Sequence, residues 1–166
     1  MKALAVYFSR FGNTKKVAEA IAEVLAGAED ARAVPIDGLT ADALQEADLV
    51  VIGSPTHYQN LPKEVRAALD TLPRRVLRGK RVAAYDTSVE TWGPLMWMTA
   101  AHRLLPKLRK LGGRKVARPE TFLVARGEDP ESGERQDALC EGELERARGW
   151  AASILERTTA SMARAA

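Results

Sequence analysis

The chain has 166 residues, of which 46% are hydrophobic and 28% are charged, and its formal net charge at pH 7 is +3. This length and composition are typical of one globular domain that is large enough to bury a hydrophobic core. Cys140 is the only cysteine, which excludes an intrachain disulfide and a cysteine metal cluster, and with two histidines we expect no metal site.

The apolar segments are too short to suggest a membrane protein. Each of them is far below the length of a membrane span. Met1 and Lys2 are followed by an apolar run of strand length, which does not have the layout of a signal peptide. We therefore expect a cytoplasmic protein.

The first predicted element is a buried strand over residues 2–8, which leads through a polar turn into a helix over residues 14–25. The turn consists of Ser9, Arg10, Phe11, Gly12, Asn13 and Thr14. A strand that turns directly into a helix presents hydroxyls and free backbone N–H groups at the positive end of the helix dipole. Such a turn can hold a phosphate, and a guanidinium can balance the phosphate charge. The glycine spacings of Walker and dinucleotide-binding loops are absent.

The third predicted strand also ends in a polar loop. It is preceded by a weak second strand over residues 31–36 and by a short helix over residues 41–47, which Thr40 caps. Residues 49–52 are then apolar at consecutive positions, which is typical of a buried parallel strand. The loop that follows contains Pro55, Thr56, His57, Tyr58, Gln59 and Asn60. Parallel sheets bind ligands beyond the carboxyl ends of their strands, so this loop is a candidate binding loop.

The rest of the chain continues the alternation of strands and helices. A helix over residues 63–72 and a strand over residues 81–85 precede a third polar loop, which contains Thr87, Ser88, Trp92 and Gly93. Residues 94–111 form a helix that Pro106 should kink or divide. Residues 115–124 contain a fifth strand, interrupted near Pro119, and residues 141–157 form the last helix. The alternation predicts an α/β fold with a doubly wound parallel sheet.

The first two polar loops resemble the flavin loops of the flavodoxin family. The family's first pattern falls on Tyr7, Ser9, Gly12, Thr14, Ala18 and Ile21, and its second on Pro55, Thr56 and Tyr58. The chain departs from the family at Phe11, where many members have a hydroxyl residue, and at Gln59, where they often have Gly. The resemblance implies a flavodoxin-like five-stranded sheet with strand order 2-1-3-4-5. Residues 1–158 would form the single domain, with residues 159–166 as a frayed tail.

The resemblance also implies a non-covalently bound cofactor, FMN. Residues 9–14 would hold its phosphate, and residues 55–60 would lie against its isoalloxazine ring, with Tyr58 stacked on it. The third loop would contact the pyrimidine edge of the ring through Thr87, Ser88, Trp92 and Gly93. The protein's part would be to hold the flavin and set its potential, because the electron chemistry belongs to the cofactor. The pattern identifies no catalytic residue.

Three functions are compatible with this resemblance. The first is a small FMN-dependent oxidoreductase with a quinone-like or porphyrinogen-like substrate, and the second is a one-electron carrier. The third, of another class, is a flavin-free module that binds a partner. The basic net charge and Gln59, which resists the left-handed backbone conformation, favour the oxidoreductase. We expect a redox partner protein or a small electron acceptor, and no nucleic acid, because the basic clusters lack interleaved aromatic residues.

Overall fold

Strands and helices alternate along the chain in the computed structural model, which describes residues 1–27, 30–56, 60–90 and 98–164. The strands are β1 (Lys2–Tyr7), β2 (Asp30–Pro35), β3 (Leu49–Pro55), β4 (Arg81–Ser88), β5 (Arg114–Lys115), β6 (Glu120–Ala125) and β7 (Ala138–Leu139). The helices are α1 (Asn13–Ala26), α2 (Ala41–Glu46), α3 (Lys63–Asp70), α4 (Ala100–Lys110) and α5 (Glu143–Ala163).

The sheet has the order β2-β1-β3-β4-β6-β7, and β5 also pairs with β4. All pairs except β6 with β7 are parallel. The predicted order 2-1-3-4-5 is confirmed, with β5 and β6 together forming the predicted fifth strand. Its interruption lies at residues 116–119, which include Pro119, a residue without an N–H for the ladder. The short antiparallel strand β7 is an addition to the predicted sheet.

The sheet is covered by helices on both faces, which explains why its central strands are continuously apolar. One face of the sheet packs with α2, α3 and α4 around Val6, Ile52 and Leu104. The other face packs with α1 and α5 around Ile21 and Ile154. The predicted cap of α2 is present, because Ala43 N donates a hydrogen bond of 3.2 Å to Thr40 Oγ1.

Two predictions about the helices need correction. Of the two predicted effects of Pro106, division of the helix does not occur: α4 is continuous through this residue, with Leu104 and Leu108 fully buried on either side of it. The last helix runs to Ala163, so residues 159–163 are helical where a frayed tail was predicted. Thr158 is fully buried at the start of that segment, which explains why the helix continues. In the part of the chain that the structure describes, no helix is long and apolar enough to cross a bilayer.

Candidate functional site

A cleft of about 110 Å³ lies where the carboxyl ends of β1, β3 and β4 meet. The predicted site residues that line it are Ser9, Arg10, Phe11, Asn13, Thr14, Pro55, Thr56, Thr87 and Ser88. They come from the turn between β1 and α1, from the end of β3 and from the end of β4, which the parallel register brings to one edge of the sheet. Thr87 and Ser88 were predicted in a loop after a strand over residues 81–85, but they are the last residues of β4, which pair with β6. Two further predicted residues, Gly12 and Asn60, are described but do not line the cleft. The remaining predicted residues, His57, Tyr58, Gln59, Trp92 and Gly93, lie outside the described residues.

The turn after β1 presents unpaired donors to this cleft. Gly12 caps α1 in a left-handed conformation, with φ 81°, and α1 has no acidic residue in its first turn. The first intrahelical hydrogen bond is donated by Lys16 N to Gly12 O at 3.0 Å, so the N–H groups of residues 13–15 have no acceptor within the helix. The Ser9 hydroxyl is buried without a hydrogen-bond partner among the described residues. This donor set fits an anion such as a phosphate.

Thr14 joins the turn to β4. The hydroxyls of Thr14 and Thr87 are 2.8 Å apart, and both residues line the cleft. The Tyr85 hydroxyl donates a hydrogen bond of 3.0 Å to Thr14 O. The full burial of Tyr85 raises the pKa of its hydroxyl well above the usual value, so it stays protonated and able to donate. The candidate phosphate loop is therefore fixed to the centre of the sheet.

The side chains of Arg10 and Asn13 are engaged elsewhere. Arg10 forms an exposed ion pair with Glu64, in which Nη2 and Oε1 are 3.7 Å apart. Asn13 Nδ2 donates a hydrogen bond of 2.6 Å to Asp137 O. Asn13 thus uses its side chain to hold the segment between β6 and β7, and it is the backbone N–H that remains for an anion.

Arg135 and Asp137, which were not among the predicted site residues, also line the cleft. Arg135 Nη2 is 2.6 Å from Asp137 Oδ2 and Nε is 3.0 Å from Oδ1, so the pair is bidentate. The hydrogen bonds from Arg135 hold the pKa of the largely buried Asp137 carboxyl below its usual value. The guanidinium also lies 5.9 Å from the centre of the Phe11 ring. The sequence contains one indication that they lie at the site, because the polar connection over residues 125–142 leaves the carboxyl end of the fifth strand.

The loop after β3 is held through Thr56. Thr56 N donates to Thr87 O at 2.9 Å, and Thr56 Oγ1 donates to the carboxylate of Asp86. Ala100 N, in the first turn of α4, donates to Thr56 Oγ1 at 2.8 Å. At the far end of the loop, Asn60 Oδ1 accepts a hydrogen bond of 2.8 Å from Leu61 N. Thr56 therefore lies between β4 and α4.

Asp86 is a fully buried carboxyl directly before the cleft residues Thr87 and Ser88. Burial raises the pKa of Asp86 from 3.8 to about 6, although hydrogen bonds from Thr121, Thr56 and Thr99 act in the opposite direction. This residue cannot be recognised as part of the site from the sequence, because an acid at the end of a strand gives no sign of its burial.

Comparisons with known proteins agree with this fold. Residues 4–120 match the family described as the flavodoxin domain. A flavodoxin from Clostridium saccharobutylicum is 30% identical over 129 residues, which are 74% of this chain and 81% of that protein. The structure of oxidised Flavodoxin 2 from Bacillus cereus superposes with a TM-score of 0.71 and 25% identity, over 95% of this chain and 99% of that one. An NAD(P)H dehydrogenase (quinone) from Geotalea daltonii is 35% identical over 96 residues, which are 42% of this chain and 47% of that protein.

Proposed function

Because this chain belongs to the flavodoxin domain family, whose cofactor is FMN, we propose that it binds FMN and transfers electrons through it. The observation that carries the proposal is the donor set of the turn after β1. The buried Ser9 hydroxyl has no partner among the described residues, and the first N–H groups of α1 have no helical acceptor. Since buried polar groups are rarely left unpaired, the arrangement favours a bound phosphate.

In this proposal, different residues of the cleft contact the phosphate and the ring of the flavin. Ser9 and the backbone N–H groups of residues 13–15 hold the phosphate, with Thr14 fixed to β4 beside them. Residues 55–60 and 87–93 contact the ring, with Tyr58 stacked on it. When bound, FMN accepts and passes on electrons, and the protein orients it and limits its contact with water.

A small oxidoreductase that acts on a quinone-like substrate is the second candidate. Gln59 favours it, because a non-glycine residue takes up a left-handed backbone conformation at a cost of roughly 1 kcal/mol or more. In the flavodoxin family, the one-electron-reduced flavin requires a change in the backbone conformation of this loop. The partial match to a quinone dehydrogenase from Geotalea daltonii also supports this candidate, whereas the flavodoxin relatives support the one-electron carrier.

The first experiment asks whether the purified protein is yellow and whether the apoprotein takes up FMN in a 1:1 ratio. FMN should bind at least a hundredfold more tightly than riboflavin, because two or more hydrogen bonds to a charged phosphate are worth roughly 1.5–3 kcal/mol each. A colourless protein that takes up no FMN contradicts the proposal and leaves the flavin-free partner module.

A second experiment separates the two candidates. The FMN complex is reduced stepwise with dithionite without oxygen, and the one-electron-reduced flavin is measured by its visible absorbance. Little of this form in the wild type, and more of it in Gln59→Gly, supports the two-electron oxidoreductase. Abundant one-electron-reduced flavin in the wild type supports the carrier. Asn60→Gly is the matched variant, because it introduces the same residue one position later.

A further inference from the structure

A groove of about 350 Å³ lies between the last turns of α5 and strand β5, and arginines form much of its lining. The residues that line it are Arg114, Arg157, Ala160, Ser161 and Arg164. Those that belong to α5 and its C-cap follow one another at intervals of three or four, so they form one stripe along the helix. Arg114 lines the groove from β5. Three guanidinium groups therefore border one concave surface.

The positive charge of this groove is not balanced by acidic side chains. None of its three arginine side chains forms an ion pair or a hydrogen bond within the part of the chain that the structure describes. On the same helix, by contrast, Arg146 and Arg148 each pair with acidic side chains. The sequence explains the difference, because residues 100–119 and 157–164 contain no Asp or Glu. The groove therefore presents a positive potential to an approaching anion.

A fourth arginine lies beside the groove and is buried. Arg81, the first residue of β4, is the direct partner of Arg114 in the parallel ladder, so the two side chains leave the same face of the sheet about 5 Å apart. That face is the one that α5 covers, because Ala83 and Tyr85, at alternate positions of β4, pack in the core with α1 and α5.

The burial of Arg81 adds to the evidence for a ligand. The residue is only 9% exposed, and its Nε atom is buried without a hydrogen-bond acceptor among the described residues. A guanidinium that loses its hydration without gaining a partner is costly, and buried polar groups are rarely left unpaired. An anion bound at the neighbouring Arg114 would lower this cost, because it would supply negative charge close to Arg81.

We propose that this groove is a second anion site, which binds a compact and multiply charged phosphate such as inorganic pyrophosphate. Guanidinium groups match phosphate oxygens with two parallel N–H donors, and the Ser161 hydroxyl adds a neutral donor. The carboxyl end of α5 carries only about half a negative charge, which the three arginines outweigh. The five lining residues include no aromatic side chain, so they offer no surface on which a nucleic-acid base could stack.

This site is separate from the candidate flavin cleft. Arg81 is the first residue of β4 and the cleft residue Ser88 is the last, which places them roughly 23 Å apart along the strand. The inference therefore does not rest on the proposed function. Binding at the groove has to be measured, however, under conditions in which the candidate phosphate loop does not take up the probe.

Isothermal titration calorimetry with pyrophosphate, at pH 7.5 and low ionic strength, tests the proposal. The titration is carried out on the FMN-loaded protein and, in parallel, on the double variant Ser9→Ala with Thr14→Ala, in which the candidate phosphate loop is impaired. We expect 1:1 binding with the same affinity in both. Orthophosphate should bind about tenfold more weakly, because it carries less charge and reaches fewer of the arginines.

Substitutions of exposed residues locate the site without disturbing the fold. Arg157→Gln and Arg164→Gln should each weaken pyrophosphate by about tenfold or more, because each removes charge-assisted hydrogen bonds to the anion. Arg157→Lys, which keeps the charge and loses the planar pair of donors, should be intermediate. Arg148→Gln is the matched control, since it removes the same charge from the same helix but from an ion pair outside the groove. It should change the affinity by less than about twofold.

The possible results decide for or against the groove. If neither the FMN-loaded protein nor the double variant binds pyrophosphate, the proposal is wrong. Equal weakening by Arg157→Gln and Arg148→Gln would show that the anion responds to net charge alone, which also contradicts it. If a short DNA duplex displaces pyrophosphate and binds more tightly, the arginines belong to a nucleic-acid surface and the small-anion site is disproved. Failure of the protein to bind FMN would overturn the proposed function and leave this inference to the double variant.

Discussion

The ring of Tyr85 fills the space that a side chain at Gly53 would need. The two residues are direct partners across β3 and β4, and a Cβ atom placed on Gly53 would lie 1.9 Å from Tyr85 Cζ. The same ring carries its hydroxyl to Thr14 O, at 3.0 Å. Gly53 is therefore required by the close approach of a neighbouring side chain, and Tyr85 connects the middle of the sheet to the candidate phosphate loop.

Gly53→Ala should destabilise the protein strongly, because the added methyl group overlaps a buried ring that has no free space to move into. We expect a loss of about 3 kcal/mol or more in the free energy of unfolding, measured by urea denaturation. Gly149→Ala is the matched control, because Gly149 lies in α5 with open space around it and Ala favours the helix by about 1 kcal/mol. Equal stability of Gly53→Ala and the wild type would show that the Tyr85 ring moves freely.

The phosphate loop can be tested with Ser9→Ala combined with Thr14→Ala. The double variant removes the Ser9 hydroxyl and the Thr14 hydroxyl, which can accept from Thr87 Oγ1 and donate to the phosphate. At roughly 1.5–3 kcal/mol for each hydrogen bond to a charged group, its FMN affinity should fall about a hundredfold or more. Riboflavin affinity should change little. Ser153→Ala removes a hydroxyl from α5, outside the cleft, and should leave both affinities unchanged. Equal wild-type affinity for the two flavins would show that the phosphate lies elsewhere.

The Arg135–Asp137 pair should act on the same phosphate with opposite signs. Arg135→Ala leaves the largely buried Asp137 carboxylate unpaired beside the anion, so FMN affinity should fall about tenfold while riboflavin affinity stays constant. Asp137→Asn removes the repulsion and keeps the carbonyl that accepts from Asn13, so it should tighten FMN. Combining the two changes should return the affinity toward that of the wild type. A double-mutant cycle without coupling between them would contradict this account.

The free energy of unfolding of the apoprotein should depend on pH through the titration of Asp86. In the unfolded chain this carboxyl titrates near 3.8, and in the folded protein its pKa is about 6, so the folded state binds more protons between these values. The contribution of Asp86 to stability therefore falls as pH rises from 4 to 7, by about 2 kcal/mol. The wild type and Asp86→Asn are compared by urea denaturation at pH 4 and pH 7. The difference between their free energies of unfolding should change by this amount. Asp42→Asn, which removes an exposed carboxylate, is the control, and a constant difference for Asp86→Asn would refute the burial argument.

The alternation of strands and helices followed from the sequence, as did the three polar segments whose residues line the cleft. Apolar runs and helical periodicity depend on residues that are near one another in the chain, so they can be detected without the fold. Ser9, Gly12 and Thr14 follow a strand and open a helix, and this local arrangement alone predicts an anion site.

What only the tertiary structure decided is which distant residues meet. The burial of Asp86, the fit of Tyr85 over Gly53 and the pairing of Arg135 with Asp137 at the cleft depend on strand register and on how a long connection packs against the turn after β1. The Asp86 carboxyl gives no local signal, because its elevated pKa comes from burial in the folded protein. Its hydrogen-bond partners Thr56 and Thr121, which act in the opposite direction, are also distant from it in the chain. A sequence pattern records the order of residues, whereas desolvation and close contact arise only when the chain is folded.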